Sequence, residues 1–249
     1  MNILSPHAAG PRRVAVLVGS LRKDYYNCKV AQALAQLAQG SLAFDFVEIG
    51  TMPPYNQDLE TAAPPPEWTA LHQQIKRADA LLFVTPEYNR SMPGALKNAI
   101  DVASRPYGHN VFDGKPGAVI SASAGQIGGF GANHHLRQAL VFLNVPVMQQ
   151  PEAYLSNVAG LFDDNGVLVN DSTRISLAKF VHAFSVWIET HTPWCCTRLR
   201  SERRYLPGTP FEVEYSKCSA LSGWRIGWMA CAACAASAKP DRISFSLPG

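Results

Sequence analysis

Cysteine is almost absent from the first 189 residues of this 249-residue chain. Of the six cysteines in the sequence, only Cys28 lies in that part. A segment with one cysteine cannot form an internal disulfide bond, which argues against the class of disulfide-rich secreted proteins. The first 13 residues also lack the apolar stretch of a signal peptide. We therefore expect a cytoplasmic protein.

Long apolar runs and a strong charge of either sign are also missing. No stretch of about 18 apolar residues occurs, so the sequence predicts no membrane-spanning helix and no membrane partner. Residues 1–189 carry 14 Lys and Arg against 15 Asp and Glu. This balance gives no electrostatic argument for nucleic acid as a partner. The hydrophobic fraction of 47% is nevertheless sufficient for an ordinary buried core.

What the sequence does contain is an alternation of apolar strands and amphipathic helices. Short, mostly apolar runs predict strands at about 13–18, 80–85 and 117–122. A further strand is predicted at about 44–49, and a weaker one at 146–149. Helical spacing predicts helices at about 27–39, 67–78, 94–103, 133–143 and 172–189. This order is typical of an α/β fold in which a doubly wound, five-stranded parallel sheet has helices on both faces.

The pattern ends near Glu189, and the rest of the chain has a different character. Residues 190–249 carry eight Lys and Arg against four Asp and Glu, and they hold five of the six cysteines. We expect one domain over residues 1–189 and an atypical, basic, poorly ordered tail over 190–249, because periodicity fades there. Cys231 and Cys234 have the spacing of a redox or zinc pair, but no second pair follows, so they are interpreted as incidental.

Three unusual loops follow the first, third and fourth predicted strands, which is where doubly wound sheets bind ligands. The first loop places Ser20, Arg22 and Asn27 before a helix, and these donors suit a phosphate. It has neither the glycines of a GxGxxG loop nor the Lys-Ser/Thr ending of a GxxxxGK[ST] loop. A polar turn in which Asn27 caps the helix explains this loop equally well on its own.

The second and third loops offer an aromatic face and a flexible backbone. The second runs from Thr85 to Gly94 and places Tyr88 and Asn89 between two prolines. The third is the glycine-rich stretch 121–131, where a ligand could approach the backbone closely. Taken singly, each loop is also explained as an ordinary connection between a strand and a helix.

Together, the three loops resemble those of the NADPH-dependent FMN reductases, a family that includes bacterial quinone and chromate reductases. The resemblance spans about 13–189. It is most specific over 85–101, where Thr-Pro-Glu-Tyr-Asn is followed by Pro-Gly-x-Leu-Lys-Asn-Ala-Ile-Asp. It implies a flavodoxin-like fold, noncovalently bound FMN, and a homodimer or homotetramer. This chain departs from the family at Tyr25, where a serine is common, and in its tail.

The resemblance also implies which residues form the cofactor site. The FMN phosphate is expected at Ser20, Arg22 and Asn27. The isoalloxazine ring is expected beside residues of the second and third loops, namely Pro86, Glu87, Tyr88, Asn89, Ser121, Gly125 and Gly128. In this arrangement Glu87 is expected to contribute backbone contacts.

The implied activity is that of an NAD(P)H-dependent reductase. NADPH or NADH gives a hydride to FMN and leaves, and a small acceptor such as a quinone or flavin then takes its place in a ping-pong order. Because the flavin carries the chemistry, no catalytic acid or base is assigned. The alternative is a flavodoxin-type electron carrier without NAD(P)H activity of its own. Such carriers are usually strongly acidic, whereas residues 1–189 are near neutral.

No metal site is expected. His134 and His135 are adjacent, so on a helix they point in different directions and cannot share an ion as an i, i+4 pair would.

Overall fold

The structure, a computed structural model, describes residues 10–22 and 25–192. The chain divides into two units, Met1–Ser201 and Glu202–Gly249, and every described residue lies in the first. All but three residues of the predicted tail, 190–249, therefore lie outside the described residues. The division into a domain and a poorly ordered tail stays a prediction.

Five parallel strands form a single sheet. They are β1 (Arg12–Val18), β2 (Leu42–Val47), β3 (Ala80–Thr85), β4 (Gly117–Ala122) and β5 (Ala153–Leu155). The strands lie in the order β2-β1-β3-β4-β5, and all of the pairings are parallel. The chain runs outward from β1 in one direction and then in the other, so the order reverses between β1 and β3. This confirms the doubly wound, flavodoxin-like fold predicted from the sequence.

Five helices cover the two faces of the sheet. They are α1 (Tyr26–Leu37), α2 (Pro66–Arg77), α3 (Gly94–Ala103), α4 (Phe130–Phe142) and α5 (Asp171–His191), with 3-10 turns at Gln57–Leu59 and Val158–Leu161. One buried cluster joins the sheet to α2, α3 and α4, and another joins it to α1 and α5. Every residue of β3 and β4 is buried, which is why their sequences are continuous apolar runs rather than alternating ones.

The fifth strand is not where the sequence predicted it. The prediction placed it at 146–149, but Val147 makes only an isolated parallel bridge with Gly117, and β5 begins six residues later, at Ala153. Pro151 stands between the two segments and has no amide hydrogen, so the chain cannot continue one ladder through both. The predicted segment 146–149 touches the sheet only through the bridge of Val147, and β5 itself is only three residues long.

The first strand and the last helix are joined by an ion pair. Arg12, the first residue of β1, donates from Nε to Glu189 Oε1 over 2.8 Å and from Nη2 to Glu189 Oε2 over 3.2 Å. This two-point contact fixes the end of α5 at the amino edge of the sheet. Within the described ranges, no helix is both long enough and apolar enough to cross a membrane.

Candidate functional site

The loops that follow β1, β3 and β4 meet at the carboxyl edge of the sheet. Gly19 N donates to Val84 O over 2.8 Å, and the Nδ2 atom of Asn27 donates to Ala122 O over 3.3 Å. A Cβ atom on Gly19 would stand 3.2 Å from the Cδ atom of Pro86, so the first and second loops are in contact. The structure thus brings together the three loops that the sequence singled out.

The first loop contains two buried polar atoms without a partner. Ser20 is 6% exposed and Asn27 is fully buried. The Oγ atom of Ser20 and the Oδ1 atom of Asn27 have no hydrogen-bond partner within the described part of the chain. Leaving such an atom unsatisfied costs about 1–3 kcal/mol. Because both atoms belong to one loop at the start of α1, they mark a place where a polar ligand would be stabilised.

The start of α1 is electrostatically suited to an anion. Its first turn contains no acidic residue, so the positive end of the helix dipole is not compensated from within the helix. The exposed Arg22 lies just before it, with its Cζ atom 4.7 Å from the centroid of the Tyr25 ring. Tyr25 is the N-cap residue but makes no capping hydrogen bond with its side chain.

The second loop is a tight, well-defined turn. Tyr88 N donates to Ser91 O over 2.9 Å, and Ser91 N donates back to Tyr88 O over 3.0 Å. The two residues between them, Asn89 and Arg90, both have positive φ, at 50° and 65°. Positive φ at both central residues is the geometry of a type I′ turn, which favours Asn but is uncommon for Arg. The turn fixes the direction of Tyr88, which remains 45% exposed.

The carboxylate of Glu87 joins the second loop to the third. Its Oε2 atom accepts from Ala132 N over 3.0 Å, in the first turn of α4. Its Oε1 atom accepts from the Nη1 atom of Arg90 over 3.1 Å, and the Glu87 side chain is only 11% exposed. α4 has Gly129 at its N-cap and hence no side chain of its own to cap it. Glu87 supplies that cap from the neighbouring loop, which sequence reasoning did not find.

The third loop is folded around the hydroxyl group of Ser121. This fully buried hydroxyl donates to Gly128 O over 2.7 Å. Gly128 and Gly129 have φ of 59° and 78°, and a Cβ atom on Gly128 would stand 2.8 Å from the carbonyl carbon of Tyr154. Glycine is therefore required at position 128 by both conformation and space. Ser121 was expected to line the site, and the structure shows its hydroxyl committed to shaping the loop.

The other predicted residue of this loop, Gly125, is less constrained. Gly125 N donates to the Oγ atom of Ser123 over 3.1 Å, and its carbonyl accepts from Asn157 N over 3.2 Å. Its φ is not in the left-handed region, and a Cβ atom there would meet only the Ser123 hydroxyl, at 3.6 Å. The fold therefore does not demand glycine at position 125.

An aromatic cluster beside the third loop was missed by the sequence analysis. The rings of Phe130 and His134 have centroids 4.2 Å apart, and the Nε2 atom of His134 lies 2.9 Å from the Tyr154 hydroxyl. Burial, followed by a hydrogen bond with Glu152, raises the pKa of Tyr154 to about 12. The one available signal was the i, i+4 spacing of Phe130 and His134.

The adjacent histidines face different neighbours. The Nδ1 atom of His135 lies 2.6 Å from the Ser91 Oγ atom in the second loop, whereas His134 contacts Tyr154. Within residues 10–22 and 25–192, no group of three or more His, Cys, Asp or Glu side chains could hold a metal ion.

Comparison with known proteins decides the family. Residues 12–160 match the family described as NADPH-dependent FMN reductase. The chain belongs to the NADPH-dependent FMN reductase family. A quinone reductase of Pseudomonas putida is 61% identical over 176 residues, which cover 71% of this chain and 94% of that protein. The 2-hydroxy-1,4-benzoquinone reductase of a Burkholderia species is 48% identical over 176 residues, covering 71% of this chain and 96% of that protein.

A solved structure supports the same conclusion. FerB of Paracoccus denitrificans, a flavoenzyme NAD(P)H:(acceptor) oxidoreductase, is 45% identical. It superposes with a TM-score of 0.70, covering 73% of this chain and 100% of FerB. As an FMN reductase, the protein is an oxidoreductase that uses FMN with NAD(P)H as electron donor. The family, the enzyme class and the cofactors predicted from the three loops are confirmed.

Proposed function

We propose that this FMN reductase transfers electrons from NADPH or NADH to quinones, flavins or similar small acceptors by a ping-pong mechanism. The relatives named as quinone reductases support this substrate class, since one of them is 61% identical to this chain. The observation that carries the placement of the cofactor is the pair of buried, unpartnered oxygen atoms on Ser20 and Asn27.

The residues of the first loop fit the phosphate end of FMN. The Ser20 hydroxyl can donate to a phosphate oxygen, and Arg22 adds a charged fork of donors. The first turn of α1 holds no acidic residue that would repel the anion. The Asn27 Nδ2 atom already donates to Ala122 O, so its Oδ1 atom is left to accept from a hydroxyl group next to the phosphate.

The second and third loops fit the flat ring of the cofactor. In this proposal the ring lies beside Pro86, Glu87, Tyr88 and Asn89, with the backbone of Gly125 and Gly128 on the other side. Glu87 acts through its backbone, because its carboxylate is already bonded to Ala132 N. Ser121 acts indirectly, by holding Gly128 in place. Three half-exposed side chains, Tyr88, Ile127 and Phe130, offer an apolar rim on which a flat acceptor can pack.

When bound, FMN would supply the redox chemistry, namely hydride acceptance from NAD(P)H and electron donation to the acceptor. The protein's part is to bind and orient. The type I′ turn fixes Tyr88 and Asn89, and the carboxylate of Glu87 holds this turn against α4. No side chain of the described residues is assigned as a catalytic acid or base.

We also propose that the enzyme is a cytoplasmic homodimer or homotetramer. Support for self-association comes from large apolar side chains at the end of α4, where Val141 is 74% exposed and Phe142 is 86% exposed. Phe142 borders a groove of about 560 Å³ between α3 and α4. Clustered apolar surface of this kind is usually covered by a partner.

Flavin binding and reduction test the proposal directly. FMN is titrated into the purified full-length chain, NADPH is then added without oxygen, and a quinone follows. We expect bound flavin, loss of its absorbance on addition of NADPH alone, and recovery on addition of the quinone. Bound flavin that NADPH cannot bleach would indicate an electron carrier instead. The absence of bound flavin at high micromolar FMN would refute the proposal.

A further inference from the structure

The ring of Tyr25 lies under the guanidinium group of Arg22. We propose that Tyr25 is a positioning residue that holds Arg22 in place for the FMN phosphate. This inference rests on the proposed function, because it takes the first loop to be the phosphate site. It concerns how this particular chain orients its arginine.

The backbone brings the two side chains onto the same side of the loop. Tyr25 N donates to Arg22 O over 3.3 Å, which closes a turn between residues three apart. The Arg22 Cζ atom then lies 4.7 Å from the centroid of the Tyr25 ring, within the range of a cation–π contact.

The Tyr25 ring is itself supported from the core side. Its centroid is 5.3 Å from that of Tyr26, with the two planes at 44°. Tyr26 is partly buried and packs against the cluster formed with α1 and α5. The guanidinium is therefore held by a ring that is in turn held by the core, which restricts the motion of an otherwise exposed side chain.

A ring holds an arginine without using its hydrogen-bond donors. Stacking occupies the flat face of the guanidinium, so the N–H groups around its edge stay available for a phosphate. A carboxylate partner would occupy those same donors. Arg90 is bound in that way by Glu87. Among the ion pairs between described residues, none involves Arg22.

A tyrosine at the N-cap acts differently from a serine at the same position. A serine at the N-cap would bond the helix backbone or the phosphate directly. Tyr25 makes no such capping bond, and its contribution passes through Arg22 instead. A serine would contribute to phosphate binding without Arg22, whereas Tyr25 contributes only while Arg22 is present.

The experiment compares FMN with riboflavin, which lacks the phosphate. Dissociation constants of both flavins are measured by fluorescence quenching on the full-length apoprotein of the wild type and four variants. The variants are Tyr25→Phe, Tyr25→Leu, Arg22→Ala and the double variant Arg22→Ala with Tyr25→Leu. The readout is the riboflavin-to-FMN ratio of dissociation constants, which a general loss of folding would not change selectively.

We expect Tyr25→Phe to keep the wild-type ratio, because it keeps the ring. Tyr25→Leu should lower the ratio about two- to fivefold, because that change in affinity corresponds to the loss of an exposed cation–π contact. Arg22→Ala should lower it about tenfold or more, the value of a charge-assisted hydrogen bond. The double variant should match Arg22→Ala alone.

Several results would overturn the inference. If Tyr25→Leu retains the wild-type ratio, or if its effect adds to that of Arg22→Ala, then Tyr25 does not act through Arg22. In both cases a low ratio for Arg22→Ala alone would leave the proposed phosphate site intact. If Arg22→Ala also retains the ratio, the phosphate lies elsewhere and the proposed placement of FMN fails together with the inference.

Discussion

At the scale of single residues, the carboxylate of Glu87 shows how one side chain can hold two loops together. The sequence placed it in the conspicuous stretch 85–101 and suggested a backbone role. Its side chain, however, reaches 45 residues along the chain to the first turn of α4 and bonds Ala132 N. A negative charge at that end of a helix is stabilised by the helix dipole as well as by the hydrogen bond.

We predict that Glu87→Gln destabilises the protein by about 1–2 kcal/mol, because it removes the charge from a nearly buried bond to the helix start. Thermal or urea unfolding of the apoprotein measures the change. Arg90→Ala is the matched control, since it removes only the exposed partner of the same carboxylate and should cost less than about 1 kcal/mol. Equal losses for the two variants would assign the stabilisation to the ion pair rather than to the helix cap.

At the scale of elements, two glycines of the third loop differ in whether the fold would tolerate a side chain at their positions. Gly128 has φ of 59°, and an added Cβ atom would stand 2.8 Å from the backbone of Tyr154. Gly125 has ordinary φ and room for a methyl group, with its nearest neighbour at 3.6 Å. The first glycine is demanded by the fold, and the second is free to serve a ligand.

This difference predicts opposite results for the two alanine variants. Gly128→Ala should destabilise the fold by about 1–3 kcal/mol, because it combines positive φ with a backbone clash. Gly125→Ala should melt like the wild type and yet bind FMN more weakly, if the ring approaches the backbone there. Melting curves and flavin titrations of the same two proteins separate the effects. A Gly125→Ala protein with normal FMN affinity would remove position 125 from the proposed site.

The sequence predicted most elements because their periodicity is local, and it failed where pairing is not local. Buried strands such as β3 and β4 are visible as apolar runs. β5 is only three residues long, and its identity depends on which segment reaches β4, so the predicted strand at 146–149 was wrong. Similarly, the sequence indicated the three loops, but not the bonds that join them.

At the scale of the whole molecule, the described fold ends with α5. Ile188 is fully buried, and Glu189 binds Arg12 at the start of β1. The hydroxyl of Thr192 caps the final turn by donating to Ile188 O over 2.8 Å. Thr192 is thus the natural place to end a shortened chain.

We predict that a chain ending at Thr192 keeps the melting temperature, FMN affinity and reductase activity of the full chain. A chain ending at Trp187 is the matched comparison, because it also lacks the buried Ile188 and the Glu189 ion pair. Compared with the full chain, it should have a free energy of unfolding about 2–5 kcal/mol smaller and a melting temperature several degrees lower. If ending at Thr192 already lowers the melting temperature by several degrees, residues 193–249 contribute to the fold, contrary to the prediction.

The exposed apolar end of α4 leads to a prediction about assembly. Phe142→Glu places a charge on the most exposed phenylalanine of the described residues, where a covered interface would have to desolvate it. We expect the dimer or tetramer to dissociate more readily in analytical ultracentrifugation. Ile175→Glu on α5, which is 55% exposed, is the control and should leave the assembly unchanged. A wild-type protein that sediments as a monomer would contradict the proposed assembly.

The ion pair between Arg12 and Glu189 has a practical consequence for attaching the enzyme to a surface. It anchors the end of α5 at the amino edge of the sheet, whereas the three loops lie at the carboxyl edge. A linker joined after Thr192 would leave the domain on the side away from Tyr88. An enzyme immobilised in this way on a bead or an electrode should hold its loops toward the solution. The turnover rate per immobilised molecule should then exceed that of enzyme coupled in random orientations.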